Sequence, residues 1–118
     1  MKIPFEFKVN EPKTWFIDLD GTILEHNIPA SAIYKDKLLP GVKELWATFG
    51  KKDKIILVSS RPKYLKKHTK KFLTKHGIWF DKIIFKLPRG ERIVINDKKP
   101  NGAEAAIAWN VERNKGFK

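Results

Sequence analysis

Apolar positions fall in short runs separated by polar, glycine- and proline-bearing stretches, and the runs differ in period. After a polar, proline-containing lead-in, TWFID (14–18) is apolar, β-prone and short, the pattern of a buried strand. Residues 21–39 scatter Gly, Pro, Ser and Asn without a clean period and read as loop. Residues 40–52 open with Pro40 and place Val42, Leu45, Trp46 and Phe49 three and four apart, which predicts a short amphipathic helix ending near Gly50. KIILVSS (54–60) predicts a second buried strand. A helix follows over 61–77, with Leu65, Phe72 and Leu73 on one face and Gly77 as its stop. DKIIFK (81–86) and RIVIND (92–97) predict a third and a fourth strand, while AEAAIAWNV (103–111) fits either a helix or a fifth strand.

Strands alternate with helices over at least two units, so a parallel sheet with helices on its faces is expected. Ligands of such sheets bind beyond the carboxyl ends of the strands. Three polar clusters fall at three such ends: Asp18 with Asp20, Ser59 with Ser60, and Asn96 with Asp97. The pattern therefore predicts one convergent site.

Composition narrows the classes. With 118 residues, 42% of them hydrophobic, and no repeat or linker, the chain reads as one domain over 1–118. No apolar run reaches membrane-span length, and MKIPFEFKVNEP lacks the apolar core of a signal peptide, so a soluble, cytoplasmic protein is expected. Cysteine is absent, which excludes disulfide and thiol chemistry. The formal charge of +12 favours anionic partners, phosphate esters or nucleic acid among them. A lysine-rich solubilising surface accounts for the same charge.

Against that basic background the two acids of FIDLDGT need a reason. Side chains two apart on a strand point the same way. Two carboxylates held close are costly unless a cation lies between them or one keeps its proton. A hard divalent ion such as Mg²⁺ takes a few carboxylate or carbonyl oxygens and keeps open positions for phosphate. Gly21 allows close backbone approach, and Thr22 adds a hydroxyl and an amide. A calcium loop of the EF-hand kind is excluded, because it needs glycine sixth rather than fourth and a distal glutamate.

FIDLDGT resembles the first motif of the haloacid dehalogenase (HAD) superfamily, most of whose members are Mg²⁺-dependent phosphohydrolases. The resemblance spans about residues 14–110 and implies a Rossmann-like three-layer α/β sandwich, mostly parallel, with strand order 5-4-1-2-3 and AIAWN as the short fifth strand. It implies that Asp18 is the nucleophile forming an aspartyl-phosphate, and that Asp20 is the general acid and then base. IILVSSRP resembles the second motif, with Ser59 bonding the phosphoryl oxygens. Gly21, Thr22, Ser60, Arg61 and Lys98 are further candidates for the phosphate. IVINDKKPNG resembles the fourth motif, so the metal set would be Asp18, Asp20 and Asp97. Where many members carry a further acid, this chain has Asn101 and Gly102. The third motif is a lysine, in some relatives within Gly-Lys-Pro. Here FKLP offers Lys86 one residue early, and Lys98 and Lys99 are the alternatives.

Neither gap where the family inserts a cap domain is long enough to hold one, so a capless, open site is expected. Open sites suit large substrates or a cover borrowed from a neighbouring subunit, and the four tryptophans are compatible with self-association as a homo-oligomer. Residues 61–76 carry Arg61 and six lysines with no acid, a basic face beside the site or a solvated one. The functional expectation is a phosphomonoesterase acting on a small phosphorylated metabolite such as a sugar phosphate. The alternatives are a polynucleotide 3′-end phosphatase using the basic face, and a non-catalytic polyanion-binding module.

Overall fold

The computed structural model describes residues 1–26 and 35–117. Part of the expected loop, 27–34, lies outside them.

Three strands form a parallel sheet in the order β1-β2-β3: β1 is Thr14–Asp18, β2 Lys54–Val58 and β3 Lys82–Ile84. Asp18 is level with Val58, and Val58 with Ile84, so the three carboxyl ends align. Helix α1 (Val42–Ala47) connects β1 to β2. A 3-10 turn at Lys63–Leu65 leads into α2 (Lys66–Lys75), which connects β2 to β3. No helix of the described residues is long and apolar enough to cross a membrane.

Local chemistry explains the helix ends. Gly41, just before α1, has φ 80°, a left-handed conformation that glycine takes without strain. At the far end Thr48 Oγ1 donates to Leu45 O, closing α1 before Gly50. The helix is thus shorter than the 40–52 run. Helix α2 ends in a Schellman motif: Gly77 N–H donates to Thr74 O, Ile78 N–H to Leu73 O, and Gly77 supplies φ 74°. Leu73 and Ile78, the hydrophobic pair of that motif, are both buried.

The core gathers Ile17, Ile55 and Leu57 of the sheet with Val42, Leu45 and Trp46 of α1. Leu19, Ile23 and Leu24, just past β1, are fully buried as well. That turn is therefore part of the core, although its sequence has no period. It places Asp20 on a rigid support at the strand ends.

Asp53 ties the opposite end together. Its carboxylate accepts the Lys13 and Gly50 N–H groups and the Trp15 indole N–H. Burial raises its pKa, but these donors outweigh burial and hold it below the ordinary 3.8. A depressed carboxylate stabilises the fold above its ordinary pKa, and the contribution is lost as pH falls below 3.8 towards the folded value. Asp53→Ala should cost about 1 kcal/mol at neutral pH, the low end for orphaned donors because water reaches this site. Urea titration at neutral and acidic pH checks this, since the loss should shrink in acid.

The fourth and fifth strands are not formed. Residues 88–98 are exposed throughout and belong to no sheet, with Ile93 81%, Val94 63% and Ile95 93% exposed. The chain turns at Lys99–Ala103, where Gly102 N–H donates to Lys99 O and Lys99 N–H to Ala103 O. It then returns as 103–112 without a ladder or helix, and Trp109 packs edge-on against Phe5 and Phe117. This excursion helps give the molecule extents of 49 × 28 × 25 Å. An apolar β-prone run becomes a strand only beside a free edge, and within the chain residues 92–97 do not reach one.

Candidate active site

Asp18 closes β1, half-exposed. Its Oδ2 accepts the Thr22 hydroxyl at 2.9 Å, and its Oδ1 accepts Arg92 Nη1 at 2.6 Å. Thr22 reaches back because the chain folds on itself at Leu19, whose carbonyl accepts the N–H groups of Thr22, Ile23 and Leu24. Gly21 turns this corner at φ 89°, with its N–H on Leu24 O and its carbonyl accepting Asn114 N–H. A Cβ at Gly21 would stand 3.0 Å from Arg113 Cγ, so the corner has little room for a side chain.

Asp20 is held differently. The guanidinium of Arg61 grips it through Nε to both oxygens at 3.2 and 3.1 Å and through Nη2 to Oδ1 at 2.8 Å. The same guanidinium donates through both terminal nitrogens to Asp36, at 3.0 and 2.8 Å, and through Nη1 to the Thr69 hydroxyl of α2 at 2.8 Å. The Arg61 and Asp36 side chains are 1% and 0% exposed. Burial alone would lower the arginine's pKa, but Asp36 and Asp20 raise it well above its usual value, so it stays charged. His68 Nε2 lies 3.3 Å from Asp36 on the same side. Arg61 therefore does not project to an incoming anion; it orients Asp20.

Ser59, 1% exposed, follows β2. Its Oγ accepts Arg61 N–H at 2.9 Å, which leaves the O–H hydrogen to donate, while its N–H binds Ile84 O and its carbonyl accepts Leu87 N–H. Ser60 is more open and points its hydroxyl at Pro88 O, 3.4 Å away. Lys86 is exposed just past β3, its N–H bound to Arg61 O, and its φ of 61° is a left-handed value uncommon for a side-chain-bearing residue.

The structure thus gathers Asp18, Asp20, Gly21, Thr22, Ser59, Ser60, Arg61 and Lys86 at one end of the sheet. It does not bring Asp97 or Lys98 into that group. Both sit on the exposed 88–98 excursion, and Asn96 Nδ2 bonds to Asp97 itself. Among the described residues no three acids or histidines are close enough to hold a metal ion. Asp18 offers hard oxygen to Mg²⁺, but its Oδ1 is neutralised by Arg92 and Asp20 by Arg61. Among the described residues the set lacks a third acid, for which Asp97 is the candidate the sequence offers.

Asp36, Thr69, Arg92 and Arg113 were not singled out from sequence. Thr69 carried a faint signal, a small polar residue four after Leu65 on the apolar face of a lysine-rich helix. Asp36 carried none, because its partner lies 25 residues away. At the rim, Arg113 Nη1 donates to His26 Nδ1 at 2.7 Å, and His26 N–H donates to Asn114 Oδ1. No family model matches the chain, and neither does any curated protein or solved structure.

Proposed function

We propose that the protein is a capless, Mg²⁺-dependent phosphomonoesterase of the HAD kind. Its full fold would be the five-stranded sandwich of order 5-4-1-2-3, with residues 92–97 beside β1, and its setting the cytoplasm. The observation that carries this reading is the pairing of two unlike acids at one strand end. Asp18 stands half-exposed, bonded to the Thr22 hydroxyl and to exposed Arg92, while Asp20 is clamped by a buried arginine. A polyanion-binding surface has no use for that division.

In this reading Asp18 attacks phosphorus through a carboxylate oxygen and displaces the alcohol. Asp20, held in one orientation by Arg61, enters the cycle carrying a proton, gives it to the departing oxygen, and regains one from the water that cleaves the aspartyl-phosphate. The Ser59 O–H, Ser60 and Lys86 receive the phosphoryl oxygens, with Lys98 and Lys99 as alternatives on the arm; the Gly21 and Thr22 amides are already bonded to Leu24 O and Leu19 O. Mg²⁺, held by Asp18, the Asp20 backbone and Asp97, would neutralise phosphoryl charge. The substrate we favour is a small phosphorylated metabolite such as a sugar phosphate.

Hydrolysis of p-nitrophenyl phosphate with and without Mg²⁺ tests this. Asp18→Asn should lower turnover by roughly a thousandfold or more. Wild-type turnover equal to that of Asp18→Asn removes the enzyme reading and leaves the polyanion-binding module.

One observation favours a polynucleotide end as the substrate. Tyr64 is 75% exposed in the 3-10 turn before α2, beside exposed Lys63, Lys66 and Lys67, an arrangement suited to stacking and phosphate contact. Turnover of a 3′-phosphorylated oligonucleotide that falls steeply with salt, while small esters are unaffected, would choose this substrate.

A further inference from the structure

The exposed run 92–97 and the outer edge of β1 each lack what the other offers. Among the described residues β1 pairs only with β2, so its other side is an open edge, and Phe16 on this strand is 59% exposed. RIVIND is apolar, β-prone and outside any sheet, with Ile93, Val94 and Ile95 in solvent. The radius of gyration of the whole chain, 15.0 Å, exceeds the roughly 13.5 Å of a compact chain this long.

The chain cannot satisfy itself by parallel pairing. Lys86 and Leu87 are bonded to Arg61 O and Ser59 O at the carboxyl end of β2, so the free connector is only Pro88 to Glu91. From Leu87 to Arg92 a fully extended chain spans at most about 18 Å. Setting Asp97 level with Asp18 would carry Arg92 about 17 Å back along the sheet and three strand spacings, about 14 Å, sideways from β3, a straight-line distance of about 22 Å. A real path over the sheet face is longer still. Arg92 is moreover fixed at the carboxyl end by its 2.6 Å contact with Asp18.

We propose that the arm 92–97 of one copy adds in parallel to the free β1 edge of a second copy, and that the second returns its own arm in exchange. The occupant is a second copy because one chain carries both halves of the contact in equal number, so a two-fold dimer covers both β1 edges. The short connector that forbids closure within a chain is the feature that drives exchange between chains. The next consequence rests on the phosphatase reading: each site takes Asp18 and Asp20 from one copy and Asp97 from the other.

Light scattering on the purified chain should give twice the 13.7 kDa chain mass. Inserting about six Gly/Ser residues between Arg89 and Gly90 should convert the dimer to a monomer with its circular dichroism preserved. Ile95→Asp, at a position open to solvent in the single chain, should also give monomer. A wild-type monomer, or a dimer that survives both changes, overturns the exchange. For the composite site, Asp18→Asn and Asp97→Asn are unfolded together and refolded. Half the dimers are then mixed, each with one intact site, so about a quarter of wild-type turnover should return. No recovery from a dimeric mixture, when wild type is active, shows that each site is built within one chain. Wild type that fails to hydrolyse any phosphate ester sinks the phosphatase reading, while mass and connector length still decide the exchange.

Discussion

Arg61→Leu is expected to destabilise the protein by about 3–5 kcal/mol, the cost of removing one partner from a buried ionic network. The side chain it replaces satisfies two carboxylates and the Thr69 hydroxyl at once, and the Asp36 carboxylate has no exposed surface through which water could take over. Urea denaturation should show the midpoint falling with an unchanged slope. Arg61→Lys keeps the charge but cannot fork to both acids, so it should recover only part of the loss. Removing Asp36 together with Arg61, as a Leu/Leu pair, should cost less than Arg61→Leu alone, since no carboxylate is then stranded at that position. A loss below about 1 kcal/mol for Arg61→Leu would mean that Asp36 reaches water by a local opening.

The second large effect is on turnover. Under the proposed chemistry Asp20→Asn should lower the rate by about 10²–10⁴, the usual contribution of a positioned acid and base. The loss should depend on the leaving group. An alkyl phosphate such as a sugar phosphate needs its departing oxygen protonated, whereas p-nitrophenolate leaves with little help, so the variant should be damaged far more on the former. Asp18→Asn should be equally damaging on both, because it removes the bond-forming atom itself. Equal losses for Asp20→Asn on the two esters would show that Asp20 orients rather than transfers protons. Asparagine also weakens the Arg61 grip, since it turns an acceptor oxygen into a donor, so the variant's stability must be measured alongside.

The legible parts of the fold were those decided by neighbours in sequence. Apolar runs marked β1, β2 and β3, and Gly77 marked the end of α2 through its need for positive φ. The strand ends carrying Asp18, Asp20 and Ser59 were legible for the same reason. The rest depended on distant partners. RIVIND has the composition of a strand, but pairing depends on where the connector is tied, and the bonds from Lys86 and Leu87 to β2 have no sequence signature. Arg61 read as one cation among 25 basic residues. Its burial follows from Asp36, in an aperiodic stretch, and Thr69, inside a basic helix; neither points to the other until the chain is folded.

The segment after the paired acids is closed at its base. Leu24 bridges Leu38 in antiparallel fashion, Glu25 N–H donates to Lys37 O, Leu39 N–H donates to Ile23 O, and Asp36 is anchored to Arg61. Chain that departs at Glu25 therefore comes back at Lys37, directly alongside. Such a socket decouples what is plugged into it from the sheet beneath: a longer insert would enter and leave at one place and strain neither β1 nor α1. Lineages that graft a lid, or engineers who graft a recognition module, would find the attachment point already built at the mouth of the site.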